Sequence, residues 1–220
     1  MAKPIHLNAV LAATLAVVAC AAAPLALAGA EAAAHADPPD VLAGITVAPQ
    51  HHRYDYRRAA FGEGWDDGGS CDVRDQILNR DLVNVTDVSV KRCPDAVEAG
   101  TLNDPYTGKV IAFTRGPRSS EAVQIDHLVP LAYAWDAGAW SWSDAERHQF
   151  YFDPAELLAV DGQANQSKGD YGPGGWMPPN AAYACTYATK FTNVLRAYNL
   201  PIDPASAAVV QHAATSCPAP

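Results

Sequence analysis

Two short apolar segments constrain the fold of this 220-residue chain more than any other feature. AVQIDHL at 122–128 predicts a strand, and ELLAV at 156–160 predicts a second one. The second segment runs into GQANQSK, where Asp161 can cap a helix and Gly169 can end it. We therefore expect two strands and a short helix, with a long excursion between the strands.

Four side chains at the ends of these elements suggest chemistry. Asp126 adjoins His127, and Asn165 precedes Lys168 by one helical turn, so the latter two share a helix face. A one-metal nuclease needs these groups: two oxygen ligands for a hard cation, a neutral imidazole for water, and a cation near phosphate. A regular strand would point Asp126 and His127 to opposite faces, so we expect a bend or bulge there.

Each half of this pattern also has a structural interpretation. An isolated Asp-His pair is more often a buried histidine with a hydrogen-bond partner than a catalytic site. Asn165 alone would be a surface amide and Lys168 a solvated charge. The two halves together, in this order, favour catalysis.

The order of strand, excursion, strand and short helix resembles the HNH endonucleases, and more narrowly a secreted branch catalogued as a domain of unknown function. The resemblance covers nearly the whole mature chain. Its motifs occur in the order GWDD, CDVRDQILNRDL, TLNDPYTG, VQIDHLVPLAYAW, FDPAELLAVDGQANQSKGD and WMPP. It implies an α+β fold with a ββα-metal (His-Me finger, HNH-like) core, antiparallel strands and surrounding helices.

The resemblance also implies roles for the four residues. His127 matches the general base, and Asp126 and Asn165 match the metal ligands. Lys168 matches the basic residue expected near the phosphate or a neighbouring carboxylate. The implied cofactor is a divalent metal, Mg²⁺ with Mn²⁺ as the alternative, and the implied substrate is DNA, with RNA as the second candidate.

The chain departs from the HNH pattern at one position. Many HNH sequences carry asparagine in the second strand, just before the leucine-rich run, and this chain has Glu156 there. That residue usually ties the loop bearing the histidine, so the departure concerns the loop anchor more than the activity. Asp170 would either support the ligands or belong to the loop after the helix.

The N-terminal 36 residues have the form of a signal peptide. Lys3 precedes an alanine-rich apolar stretch, and Ala34-His35-Ala36 has the small-x-small form of a cleavage site. We expect export and secretion without stable membrane association. Two alternatives remain: lipoprotein cleavage at Cys20, and an uncleaved anchor, which Pro24 disfavours.

Four cysteines beyond the apolar stretch fit an oxidising compartment. Of the three possible pairings, Cys71 with Cys93 and Cys185 with Cys217 are favoured because each closes a local loop around a predicted element. Zinc is disfavoured because no C-x-x-C occurs. The chain should therefore contain two structural disulfides.

We expect residues 37–70 to form an irregular arm and residues 71–220 to form an HNH-like domain. The arm contains the basic-aromatic patch HHRYDYRRAAFGEGW, whose aromatic side chains are expected to pack on the core. The sharper alternative gives Arg53, Arg57 and Arg58 a role in guiding a polyanion. The formal net charge of −9 argues against a tight, non-specific phosphate binder, although local contacts with phosphate stay open.

The remaining elements follow from periodicity. Strands at 85–92 and 109–115 are expected to pair with one another in an antiparallel unit. Helices are predicted at 71–82, 131–140, 143–152 with Ser143 as N-cap, 181–198 and 203–216.

Two other functions compete with a secreted endonuclease. One is a non-catalytic secreted or cell-surface binding module on an HNH scaffold, which the acidic charge and Glu156 favour. The other is a different metal-dependent phosphoesterase. Oligomeric state and sequence preference do not follow from the sequence.

Overall fold

Two antiparallel sheets carry the strands of the computed structural model, which describes residues 40–217. The first sheet has three strands in the order β1 (Val83–Val90), β2 (Cys93–Asn103) and β3 (Val110–Thr114). The second pairs β4 (Val123–His127) with β5 (Leu157–Asp161). The expected α+β class with antiparallel strands is confirmed.

Helices surround both sheets. They are α1 (Val73–Asp81), α2 (Leu131–Ala137), α3 (Asp144–Phe152), α4 (Gly162–Lys168), α5 (Ala184–Ala197) and α6 (Pro204–Ala214). Ser143 forms the predicted cap of α3 as a capping box with Glu146. Each helix lies within three residues of its prediction, and α2 ends at Ala137, three residues before its predicted end.

The predicted pairing of the first two strands is wrong. β1 and β3 each pair with β2, which the sequence did not predict as a strand. CPDAVEAGTLN contains proline, glycine and alanine and lacks clean alternation, so its strand signal is weak. Gly100 is required by packing, since a Cβ there would lie 2.8 Å from Leu82 Cδ2.

The unit of β4, β5 and α4 has the predicted order. Asp126 lies opposite Leu158 and His127 opposite Leu157. The register runs from Val123 to His127 without a shift, so the expected bulge is not present. The side chain of Asp161 accepts a hydrogen bond from the Ala164 amide at the start of α4, as predicted.

The β4–β5 ribbon lies between two apolar clusters. One face, with Leu158 and Val160, packs into a cluster built largely from α2, α5 and α6. The other face, with Ile125 and Ala159, packs against α1 and the three-stranded sheet. Since each face is covered, the strand pair is a fixed support for the residues at its edge.

The described part of the arm, residues 40–70, is irregular apart from a 3₁₀ turn at Arg58–Ala60. Phe61 is buried and packs near the Trp135 and Phe150 rings. Ala48 and Ile202 share a backbone hydrogen bond. The arm is thus packed on the core rather than projecting from it.

Two disulfides are present, and both have the predicted pairing. Cys71–Cys93 joins the residues before α1 to the start of β2, and Cys185–Cys217 joins the start of α5 to the residues after α6. The predicted signal peptide at 1–36 and Cys20 lie outside the described residues. Within residues 40–217, no helix is long and apolar enough to span a membrane.

Candidate active site

Two side chains of α4 pair with two side chains on one face of β4. Gln124 and Asp126 are alternate residues and share a face of the strand. The Asn165 amide donates to Gln124 Oε1 at 3.0 Å, and Lys168 Nζ donates to Asp126 Oδ2 at 2.5 Å. Strand and helix periodicities together place these four residues in register.

Asp126 is held from two sides through one oxygen. Tyr106 Oη also donates to Asp126 Oδ2, at 2.5 Å, and Lys168 Nζ donates to the His127 carbonyl at 2.6 Å. Lys168 is fully buried, and a buried charge is costly unless it is paired. The Asp126 carboxylate balances the charge of Lys168. Asp126 Oδ1 accepts no hydrogen bond from the residues in 40–217, which leaves this oxygen for a ligand.

The His127 ring is oriented by a carbonyl. Its Nε2 lies 3.1 Å from the Tyr151 carbonyl oxygen, which can only accept, so Nε2 carries the hydrogen and Nδ1 the lone pair. The ring is stacked 6.0 Å from Trp65 of the arm. Burial lowers the pKa of His127 to about 3, so the imidazole is neutral at physiological pH.

Asp126 and His127 meet at one cavity of about 240 Å³. Asn165, Arg58 and Asp170 also line it. In the described part of the chain β4 has a strand partner on one side only. Asp126 and His127, which belong to opposite faces of β4, therefore both line the cavity without a bulge.

Three of the four predicted residues, Asp126, His127 and Asn165, line this cavity. Lys168 does not, because it lies behind Asp126. The family resemblance allowed Lys168 to lie near the phosphate or near a neighbouring carboxylate. In the structure it lies beside the Asp126 carboxylate. Lys168 can therefore act on the site only through Asp126 and the His127 carbonyl, and direct contact with phosphate is not supported.

Glu156 lies beneath the loop that follows His127. The Val129 amide lies 3.0 and 3.2 Å from the two Glu156 carboxylate oxygens, and the Leu128 amide donates to the Glu156 carbonyl. Burial raises the pKa of the Glu156 carboxyl well above its usual value. Glu156 is therefore in position to tie this loop, which is the role that the HNH pattern implies for its position. Asp170 is exposed and lines the cavity.

Several site residues escaped prediction as members of the site. Tyr106 comes from the DPYTG turn, Trp65 from the arm, and Gln124 from β4. Strand alternation from Asp126 would have indicated Gln124. Arg58 was predicted only as one of three arginines that could guide a polyanion; it is exposed, lies 5.6 Å from the Tyr151 ring centroid, and makes no ion pair with any described residue.

The donor set fits a hard cation held by few protein ligands. Within residues 40–217 there is no group of three or more His, Cys, Asp or Glu that could hold a metal. The cavity instead offers Asp126 Oδ1 and the Asn165 amide oxygen, whose nitrogen is engaged by Gln124. Mg²⁺ is commonly bound by one or two carboxylates, water and substrate phosphate, so these two oxygens are compatible with it.

Comparisons with known proteins show the family of this chain. Residues 72–203 match the family described as GmrSD restriction endonucleases, C-terminal domain. An uncharacterized secreted protein of Arthroderma benhamiae is 34% identical over 180 residues, which cover 80% of this chain and 83% of that protein. No solved structure matches. The β4–β5–α4 unit lies inside the family match, whereas Arg58 and Trp65 lie outside it.

Proposed function

The chain belongs to the family of the GmrSD restriction endonuclease C-terminal domain, and from this premise we propose that it is a secreted, metal-dependent endonuclease of the HNH type. The resemblance to HNH nucleases is confirmed at the level of the family. The observation that carries the proposal is the meeting of Asp126, His127 and Asn165 at one cavity. We propose hydrolysis of phosphodiester bonds in DNA, with RNA as the second candidate substrate.

His127 is proposed as the general base. Its Nδ1 carries the lone pair and takes a proton from the attacking water. The Tyr151 carbonyl keeps Nε2 protonated and stabilises the imidazolium that forms. Because the ring packs against both Trp65 and Tyr151, little reorientation is needed during the reaction.

Asp126 and Asn165 are proposed to hold the divalent ion, Mg²⁺ or alternatively Mn²⁺. Such an ion supplies Lewis-acid stabilisation of the charge that develops on the phosphoryl and leaving oxygens. Lys168 and Tyr106 fix the Asp126 carboxylate through Oδ2, so that Oδ1 would be the oxygen that holds the ion. The carboxylate is thereby preorganised, and little entropy is lost when the ion binds.

Arg58 is proposed as the contact for the substrate phosphate. It is the arginine of the arm that lines the cavity. A guanidinium with no ion pair among the described residues is free to form paired hydrogen bonds with phosphate oxygens. This assigns to Arg58 the phosphate contact that the buried Lys168 cannot make.

Export is also a proposal. The Arthroderma benhamiae relative bears the name of a secreted protein, and this chain has the predicted signal peptide at 1–36. Its two disulfides are typical of oxidising compartments. A secreted nuclease would meet nucleic acid outside the cell.

Nicking of supercoiled plasmid tests the proposed activity. With Mg²⁺ the protein should nick plasmid, and EDTA should stop the reaction until Mg²⁺ is restored. His127→Ala should lower the rate by about 10²–10⁴-fold because it removes the base. The matched control is His148→Ala, since His148 is exposed on α3 and does not line the cavity.

Full activity in a folded His127→Ala protein would end this assignment. The rival function, a non-catalytic binding module on the same scaffold, draws support from the net charge of −9 and from Glu156. Calorimetry without divalent binding, together with plasmid that stays intact, would favour that module. Cleavage of a small diester but not of plasmid would favour another phosphoesterase.

A further inference from the structure

A second cavity, of about 410 Å³, adjoins the candidate active site. Asp170 lines both cavities. The second one also has Gln50 and His52 of the arm, Asp136 of α2 and Tyr171 in the loop after α4. A polymer bound with its phosphate at Arg58 therefore has the second cavity beside it.

The charges of the two cavities differ. Both cavities have two carboxylates, Asp126 and Asp170 in the first and Asp136 and Asp170 in the second, but only the first has a guanidinium, that of Arg58, among the described residues that line it. Asp136 accepts hydrogen bonds from His52 Nδ1 at 3.1 Å and from the Arg53 amide at 2.8 Å. Carboxylates repel phosphate but accept hydrogen bonds from amino groups on nucleobases. The second cavity thus fits the base of a nucleotide rather than its phosphate.

Two further side chains of the second cavity, Gln50 and Tyr171, are suited to contact a nucleobase. Gln50 Nε2 is buried and has no hydrogen-bond partner among the described residues. The Tyr171 ring rests against Gly175, where a Cβ would lie 2.8 Å from its Cδ1, and the residue is still 61% exposed. A ring supported on one side and open on the other is a platform on which a base can stack.

We propose that the second cavity is a nucleobase subsite, which takes the base next to the cleaved phosphate and favours bases that carry amino groups. Tyr171 stacks on the base, and the Asp170 carboxylate and the Gln50 amide bond to its edge. Adenine, cytosine and guanine have amino groups that donate hydrogen bonds to such a carboxylate, whereas thymine has no amino group. This inference rests on the proposed function, because it identifies how the same site binds its substrate.

Kinetics on two substrates test the subsite. Tyr171→Ala should lower kcat/KM for a single-stranded oligonucleotide about tenfold more than for bis(p-nitrophenyl) phosphate, which has no base, and chiefly through KM. Tyr171→Phe keeps the ring and is the matched control, so it should restore the oligonucleotide value. Thermal unfolding of both variants checks that they are folded, as the exposure of Tyr171 leads us to expect.

Mapping the cut sites tests the base preference. In an oligonucleotide of mixed sequence, cuts should fall beside adenine, cytosine or guanine more often than beside thymine, and Asp170→Ala, which removes the acceptor for the amino group, should reduce this bias. Equal losses on both substrates in Tyr171→Ala, or unbiased cutting by the unmodified protein, would overturn the subsite and leave the nuclease intact. If the unmodified protein cleaves neither substrate, the proposed function fails and the subsite fails with it.

Discussion

Lys168 lies behind Asp126, without access to solvent. Its ammonium contacts Asp126 and the His127 carbonyl, and the Lys168 side chain is 0% exposed. An ion pair in such surroundings loses hydration, so its net contribution to stability is small while both partners are present. Removal of one partner is costly because the other charge stays buried.

Lys168→Met should therefore lower the free energy of unfolding by about 3–5 kcal/mol, measured by chemical denaturation. Lys109→Met is the matched control, because Lys109 pairs with Asp161 at 3.3 Å but is 59% exposed. The control should lose less than about 1 kcal/mol. Equal effects in the two variants would show that the Asp126–Lys168 pair is not buried in solution.

Glu156 gives a pH dependence of stability. Burial raises its pKa in the folded state above the value in the unfolded chain, so folding favours the protonated carboxyl. This contribution is complete at pH values below the unfolded pKa and is lost as the pH rises through the folded pKa. Glu156→Gln mimics the protonated form and keeps an acceptor for the Val129 amide.

We expect the stability of Glu156→Gln relative to the unmodified protein to rise as the pH is raised above the pKa of Glu156 in the unfolded chain. Denaturation at a series of pH values measures it. Glu63→Gln, at an exposed glutamate of the arm, should show a constant difference. Parallel curves for Glu156→Gln and the unmodified protein would mean that Glu156 is charged in the fold.

At the level of elements, α4 is short and depends on its cap. Asp161 ends β5 and caps this helix, which presents Asn165 and Lys168 to β4. Loss of the cap should loosen both contacts. The start of α4 thus couples the stability of the helix to the geometry of the site.

Asp161→Ala should cost about 1 kcal/mol of stability and should also lower plasmid nicking. Asp72→Ala is the matched control, because it removes the cap of α1, which supplies neither a residue of the cavity nor the carbonyl that orients His127. We expect a similar loss of stability in the control and full nicking activity. If the control loses as much activity as Asp161→Ala, general destabilisation rather than the position of α4 explains the effect.

Strong local signals allowed much of the fold to be predicted from the sequence. Strand β5 runs into a helix with an Asp cap and a Gly end, so the unit that holds Asn165 and Lys168 could be placed. Strand β2 has weak strand propensity and is stabilised by pairing on both sides, which no local pattern reveals. Tyr106 and Trp65 reach the site only through tertiary packing, so their places could not be inferred.

For the whole molecule, the net charge of −9 limits how nucleic acid is bound. Association cannot rely on a broad positive surface. The proposed contacts with phosphate are Arg58 and the bound cation. Few counterions should therefore be released when DNA binds.

Binding of duplex DNA to His127→Ala should weaken only slightly with salt. We expect the slope of log K against log salt concentration to be shallower than about −2, measured by fluorescence anisotropy. Arg58→Ala in the same background should make the slope shallower still. A steep slope of about −5 or beyond would contradict so few contacts with phosphate.

The most direct test of the central claim is a crystal structure with Mn²⁺ and its anomalous scattering. We expect one peak in the cavity, within coordination distance of Asp126 Oδ1 and the Asn165 amide oxygen, with His127 Nδ1 facing a water beside it. No peak between Asp126 and Asn165, in crystals of protein that nicks plasmid with Mn²⁺, would contradict the site proposed for the cation.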